Sequence, residues 1–289
     1  MASPEIIPCI AKEGWDDVVG AYADALVKAA PNIGAHGLNS VEFAESGLFA
    51  SAVERLRGQQ SASLKKKQEF IDAALNLLYS AGLIESWEFV GNKERHDYEV
   101  ILKGGRISCI EAKGCLDGNN TNIFKRPANA DEFLIWSLCQ NPGANPRHNA
   151  WSGIHTRLSA EIIARREKVD GLIIWDMLCG SLARPCPKLL SNKARGTAIS
   201  GKTVPPPCIY LFPRSVPDAR NNPDPPTWNL SEIRLLDALA TVFKALPSEI
   251  VSVSISARMD GSNIQRQTRY VAGGRQVFES KWTTIRRAS

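Results

Sequence analysis

The chain has 289 residues, of which 44% are apolar and 22% are charged, and these are ordinary proportions for a soluble globular protein with a large core. No apolar run approaches the length of a membrane span, and the start Met-Ala-Ser-Pro-Glu lacks the basic segment and apolar stretch of a signal peptide. The composition therefore argues against a membrane partner and predicts a cytoplasmic location.

The net charge is +5, and the excess lies near the end of the chain. From residue 258 onward seven basic side chains stand against two acidic ones, whereas the rest of the chain holds 28 of each sign. A basic region with strand-like segments is typical of a surface that contacts phosphates. We therefore predict that Arg266 and Arg269 bind DNA; the alternative is a solvated basic face without a ligand.

The seven cysteines stand singly at positions 9, 109, 115, 139, 179, 186 and 208, with no CxxC pair and only four histidines in the chain. This spacing predicts neither a disulfide framework nor a zinc site. Reduced cysteines that serve as small apolar residues are the expectation.

The first third of the chain is predicted to be helical. Apolar residues recur at helical spacing from Trp15 to Pro31 and from Val41 to Leu56, and a third amphipathic helix begins after Ser63 and runs toward Gly82. Further along, the patterns predict strands at 87–90, 97–102, 107–113, 171–176, 205–212 and 250–255, helices at 154–168 and 231–246, a helix-like stretch at 130–138 and a loop at 140–149. Helices that lead into apolar strands indicate an α/β fold with a mixed central sheet flanked by helices.

Two carboxylates and a lysine meet in one predicted hairpin. Asp97 opens its first strand, and after a turn at 103–105 the second strand carries Glu111 and Lys113. A three-residue turn with a left-handed glycine would place Asp97 opposite Glu111, with Lys113 on the same face. Opposed carboxylates repel one another unless a cation lies between them, and oxygen ligands suit Mg²⁺. Because Glu99 shares this face, a slip in register would exchange its role with that of Asp97.

These groups predict phosphodiester hydrolysis, since the lysine could orient a water or stabilise phosphorane-like charge. The segments His96–Val100 and Ile110–Gly114 resemble the PD-(D/E)xK signature, the nuclease core shared by many type II restriction endonucleases and by some repair and recombination nucleases. The resemblance covers roughly residues 64–176, and it departs from the pattern at His96, which replaces a proline.

The resemblance implies a restriction-endonuclease-like core and a catalytic role for each of several residues. Asp97 and Glu111 would bind Mg²⁺, the carbonyl of Ala112 would be a further ligand, and Lys113 would position the attacking water. In many such nucleases a helical glutamate also helps to hold the metal, and Glu69 is the matching residue here; a merely solvated side chain is the alternative.

The domain organisation follows from these assignments. We expect a helical N-terminal region at 1–60, the nuclease core with inserted recognition loops at 61–250 and a basic, β-rich extension at 251–289, together forming one compact domain. The helical N-terminal region and the basic C-terminal extension favour a homodimeric type II restriction endonuclease. Such an enzyme would cut double-stranded DNA with Mg²⁺ and without a nucleotide cofactor. A structure-specific nuclease of the Holliday-junction resolvase type and a non-catalytic DNA-binding module are the alternatives.

Two loops carry side chains suited to base edges or phosphates. The predicted DNA-binding residues are Arg147, His148 and Asn149 in the first loop, and Arg184, Lys188, Lys193 and Arg195 in the second. Both segments could equally be ordinary surface loops.

Two further motif matches are not expected to be functional. Asp260 with Glu279-Ser280-Lys281 repeats the nuclease pattern, but Asp260 lies in an Asp-Gly turn. The run Gly196-x4-Gly201-Lys202-Thr203 matches a phosphate-binding loop, but three prolines follow it where such a loop requires a helix.

Overall fold

The computed structural model describes residues 9–10, 12–34, 36–53, 64–91, 96–114, 125–139, 145–182, 184–191 and 193–285. Within these ranges the helices are α1 (Trp15–Ala29), α2 (Ser40–Ser46), α3 (Leu64–Ser80), α4 (Pro146–Ser152), α5 (Ser159–Arg165), α6 (Pro187–Ser191) and α7 (Arg234–Val242), with a further helical segment at 48–53. The strands are β1 (Ile84–Phe89), β2 (Tyr98–Leu102), β3 (Arg106–Lys113), β4 (Glu132–Cys139), β5 (Gly171–Asp176), β6 (Thr197–Ile199), β7 (Lys202–Val204), β8 (Cys208–Leu211), β9 (Val251–Asp260), β10 (Asn263–Ala272), β11 (Arg275–Glu279) and β12 (Thr283–Thr284).

One large mixed sheet organises the described chain. Its strand order is β1-β2-β3-β4-β5-β8-β9-β10-β11, and β12 pairs with β10. Strands β1, β2 and β3 form an antiparallel meander, β3, β4 and β5 run parallel, and β9, β10 and β11 are again antiparallel. The predicted α/β class, with a mixed central sheet flanked by helices, is confirmed.

The sheet has an apolar core on each face. Because side chains alternate along a strand, Leu134 and Trp136 of β4 join the core beneath α3 and α7, whereas Phe133 and Ile135 join the core beneath α4 and α5. Burying each such side chain contributes about 1.5–3 kcal/mol. These two layers fix the position of β3, which pairs with β4 over the length of the candidate site.

The helix-like stretch predicted at 130–138 is wrong, since Glu132–Cys139 forms the central strand β4. All eight residues of β4 are buried, and the strand lies between parallel partners with both faces covered. Such a strand is a continuous apolar run without alternation, so its periodicity does not distinguish it from a short buried helix.

The loop predicted at 140–149 is also corrected, because α4 begins at Pro146. The side chain of Asn145 caps this helix by accepting the backbone N–H of His148 at 3.0 Å, and proline is favoured at the first helical position. Helix α4 continues through a π-helical turn at Gly153–Leu158 into α5.

Helix α1 spans 15 residues without burying any of them. Its exposed apolar side chains are Val18, Val19, Tyr22, Leu26 and Val27. Because an isolated helix of this length is only marginally stable in water, a covered apolar face would be its main source of stability. Among the described residues, no helix combines the length and the apolar character needed to cross a membrane.

Candidate active site

The β2–β3 hairpin has the predicted register. Tyr98 pairs with Ile110 and Leu102 pairs with Arg106, so residues 103–105 form a three-residue turn. Gly104 and Gly105 have φ values of 84° and 72°, a left-handed conformation that glycine adopts without a steric penalty. The paired residues of β2 end at Tyr98, beyond which the Asp97 N–H donates to the carbonyl of Ile110, while Glu99 pairs with Cys109.

Asp97 is held against the end of β3 by two hydrogen bonds. Its carboxylate Oδ2 accepts the backbone N–H of Ala112 at 2.7 Å, and its own N–H donates to the carbonyl of Ile110 at 3.0 Å. A carboxylate has several lone pairs, so this bond leaves it able to bind a cation. The two bonds place the carboxylate beside Glu111.

Glu111 and Lys113 form an ion pair on the same face of β3. The Lys113 Nζ lies 2.7 Å from Glu111 Oε1, and the two side chains are only 16% and 9% exposed. Burial raises the pKa of Glu111 to about 7; the charge of Asp97 adds to this rise, while Lys113 opposes it. Near neutral pH this carboxyl group is therefore divided between its protonated and ionised forms.

We expect the effect of Glu111→Gln on the free energy of unfolding of the metal-free protein to be about 1–3 kcal/mol more favourable at pH 8 than at pH 5. The folded-state pKa lies above the ordinary value, so the stability that Glu111 contributes is present at low pH and is lost as the pH rises through about 7. Urea denaturation with a chelator at both pH values measures this difference. Glu279→Gln, at a partly exposed position, is the control, and an equal gain at both pH values would contradict the prediction.

Lys67 of α3 is a site residue that the sequence analysis missed. It is half-buried, burial lowers its pKa, and the charges of Asp97 and Lys113 both act on it. It ends the run Lys65-Lys66-Lys67, and no local pattern in the sequence shows which of these side chains faces the hairpin.

Glu69, the predicted helical metal ligand, lies elsewhere. It follows Lys67 by two residues, which is about 200° around a helix. Its side chain is exposed, and its charge acts on Asp72. Lys67, and not Glu69, lies on the side of α3 that faces Asp97 and Lys113, so the prediction that Glu69 helps to hold the metal is corrected.

A second polar cluster lies next to the carboxylate pair. His96 Nε2 is 3.0 Å from Glu99 Oε1, which also accepts a hydrogen bond from Asn129 Nδ2 at 3.1 Å. Ligand atoms of His96, Glu99 and Cys109 lie within 4.8 Å of one another. Glu99 is thus paired with His96, and it does not exchange roles with Asp97.

The second predicted recognition loop is mostly structural. Arg184 Nη1 binds Asp176 Oδ1 at 2.7 Å with both side chains 2% exposed, and the Lys188 Nζ donates to the carbonyls of Pro206 and Pro207 at 3.1 Å. Both cations are buried, so the prediction that they contact DNA is wrong. In sequence, a buried cation looks the same as an exposed one.

Arg195 and Arg266 are corrected because both guanidinium groups bind other parts of the protein. Arg195 forms an ion pair with the buried Glu249, and Arg266 is 5% exposed and donates from Nη2 to the carbonyl of Thr156 at 2.7 Å. Arg269 stays at the surface, in an ion pair with Glu279 at 2.9 Å. The side chain of Lys193 lies outside the described residues.

The other predicted DNA-binding residues lie on α4. His148 is exposed, and Arg147 and Asn149 are half-buried. Their contact with bases stays a prediction, now made for a helix and not for a loop.

We expect Arg184→Ala to lower the free energy of unfolding by about 3–5 kcal/mol, because it leaves the buried Asp176 carboxylate without its cation. Chemical denaturation measures the loss. Arg269→Ala, which breaks a surface ion pair, should cost no more than about 1 kcal/mol. Equal losses in the two variants would contradict the structural role of Arg184.

The expectation of reduced cysteines is corrected at Cys139, which lies at the end of β4 and is disulfide-bonded. Cys9, Cys179 and Cys186 are free thiols, and they come together in space despite their separation in the chain.

The chain matches no protein-family model, no curated protein and no solved structure. The assignment of the site therefore depends on its own residues and their geometry.

Proposed function

We propose that the protein is a Mg²⁺-dependent endonuclease of the type II restriction class that acts on double-stranded DNA as a homodimer. The observation that carries this proposal is the placement of Asp97, Glu111 and Lys113 together at one end of the β2–β3 hairpin. The succession of α3, the antiparallel meander β1-β2-β3 and the parallel strand β4 supports a core that resembles the restriction endonucleases.

The donor set suits a hard cation. The charge of Asp97 raises the energy of the charged form of Glu111, which is the electrostatic situation that a bound cation relieves. Asp97, Glu111 and the carbonyl of Ala112 would hold Mg²⁺. When bound, Mg²⁺ supplies Lewis-acid polarisation of the phosphate and acidifies the attacking water.

Two lysines of the protein would act on the attacking water and on the phosphate. Glu111 engaged by a metal attracts the Lys113 ammonium less strongly, so Lys113 can donate to the attacking water or to the phosphate oxygens as charge develops there. Lys67 adds a second positive charge on the α3 side of the site. The two lysines balance the two carboxylates, and the metal charge is then offset by the DNA phosphate.

A homodimer would give α1 a partner. A palindromic DNA site is matched most simply by a protein with two-fold symmetry. The exposed apolar side chains of α1 are suited to cover the same surface of a second copy.

The test is incubation of the pure protein with a long, defined, unmethylated duplex, with Mg²⁺ and in parallel with a chelator. Discrete Mg²⁺-dependent fragments would support the proposal, and their ends would give the recognition site. A smear would indicate a nonspecific nuclease. Intact duplex together with cleavage of a four-way junction would indicate a resolvase, and a salt-sensitive mobility shift without cleavage of either substrate would indicate a DNA-binding module.

A further inference from the structure

Three cysteines from distant parts of the chain meet beyond the end of β5. The Sγ atoms of Cys9 and Cys179 are 2.7 Å apart, and the sulfurs of Cys9, Cys179 and Cys186 all lie within 4.8 Å of one another. Cys9 and Cys186 are buried, and Cys179 is half-buried. The cluster joins the N-terminal segment to the loop that follows β5.

We propose that Cys9, Cys179 and Cys186 bind a zinc ion as thiolates. Zn–S bonds of about 2.3 Å in a tetrahedral site place the sulfurs about 3.8 Å apart, which lies within the 4.8 Å limit of the cluster, although the Cys9–Cys179 pair at 2.7 Å would have to open by about 1 Å to admit the ion. An iron–sulfur cluster distributes its cysteine ligands over several iron atoms and so needs a wider spacing. The spacing therefore favours one metal ion.

A disulfide explains the cluster less well. All three cysteines are free thiols. A bond between Cys9 and Cys179 would use two of the sulfurs and would leave the Cys186 thiol buried without a function. A metal ion uses all three.

Neighbouring residues could supply a fourth ligand to the metal ion and balance the charge of the site. Asp176 and Cys208 line the same cavity as the three thiols. Asp176 Oδ1 binds Arg184, whereas no described residue forms a hydrogen bond with the buried Oδ2. This oxygen lies outside the set of ligand atoms within 4.8 Å of one another, so it would have to move toward the thiols to serve as a fourth ligand, a role in which zinc accepts carboxylates.

A buried cation lines the cavity beside the cluster. The Lys188 Nζ lies 3.7 Å from Sγ of Cys208, a thiol that is not one of the three proposed ligands. Zinc with three thiolates carries a net charge of −1, which Lys188 would offset.

The zinc site is independent of the proposed Mg²⁺ site. Thiolates select soft metals, whereas carboxylates and carbonyl oxygens suit Mg²⁺. The role of the zinc is structural: it would tie the N-terminal segment to the β5–α6 loop, to which Cys179 and Cys186 belong.

The test is the metal content of the full chain, purified under reducing conditions without chelator from zinc-supplemented medium. We expect about one zinc per chain, and Cys179→Ser should lower this content by about tenfold or more. Ser108→Ala is the control, because Ser108 is buried in β3 outside the cluster and carries no thiol, and this variant should keep the zinc.

A second measurement, made on the unmodified protein, tests the proposal if the Cys179→Ser variant fails to fold. A thiol-specific mercurial added to the unmodified protein should release zinc in proportion to the thiols modified, and zinc added to the metal-free protein should raise its melting temperature where Mg²⁺ does not. Protein without zinc that also binds none, iron and sulfide in its place, or a Cys9–Cys179 disulfide in the purified chain would overturn the proposal. None of these readouts depends on DNA cleavage.

Discussion

Lys113→Ala is expected to lower the rate of DNA cleavage by about 10²- to 10⁴-fold while DNA affinity stays within about threefold. The ammonium acts on the water or on charge that develops in the transition state, so its loss affects the chemical step more than binding. Single-turnover cleavage and a mobility-shift titration with Ca²⁺ in place of Mg²⁺ measure the two quantities separately.

One indirect effect must be separated from this direct role. Lys113 holds down the pKa of Glu111, so its removal favours the protonated carboxyl and weakens metal binding. Cleavage is therefore measured also at pH 8.5 with saturating Mg²⁺. A persistent loss indicates direct action, whereas recovery would show that Lys113 only controls the ionisation of Glu111.

The chain offers a matched control for this variant. Lys281 ends the Glu279-Ser280-Lys281 triplet, which repeats the motif away from the site. Lys281→Ala should cut DNA at the rate of the unmodified protein. Undiminished cutting by Lys113→Ala would remove the basis for the proposed site.

Asp97→Asn is expected to abolish measurable Mg²⁺-dependent cleavage, with a loss of about 10³-fold or more. Asparagine can still accept the Ala112 N–H through its side-chain oxygen, so the fold should be kept while the anionic ligand is lost. Cleavage across a Mg²⁺ titration measures the effect, and the melting temperature checks the fold.

Asp97→Asn should also change the titration of Glu111. Removing the neighbouring negative charge lowers the pKa of Glu111 from about 7 toward the ordinary range, and NMR of the carboxyl carbon can follow this. An unchanged pKa would show that the two carboxylates do not interact. Asp260→Asn, the same substitution in the repeated motif, should affect neither cleavage nor this pKa.

The repeated motif shows why a short pattern does not define a site. Asp260 pairs with Asn263, whereas Glu279 pairs with Arg269. Six residues of β10 separate these positions, which is about 20 Å along a strand. Likewise, the run that matches a phosphate-binding loop forms the tight hairpin β6–β7, with Ser200 and Gly201 in its turn.

The sequence by itself determined the features that depend on neighbouring residues. The glycine turn at 103–105, the alternation of side chains and the apolar pattern of two short strands specify the β2–β3 hairpin and its register. The candidate carboxylate pair of Asp97 and Glu111 follows from them, because the contacts involved span fewer than about 20 residues of chain.

Only the tertiary structure decided the features that depend on distant segments. The apolar run of β4 is a strand because it lies between parallel partners. Lys67, and not Glu69, lies near the hairpin because of the way α3 packs. Cys9 lies beside Cys179 and Cys186 although the chain separates them. The tertiary structure also buries Arg184 against Asp176. The physical reason is that burial and electrostatic pairing depend on which surfaces pack together, and residue type and local periodicity do not encode that choice.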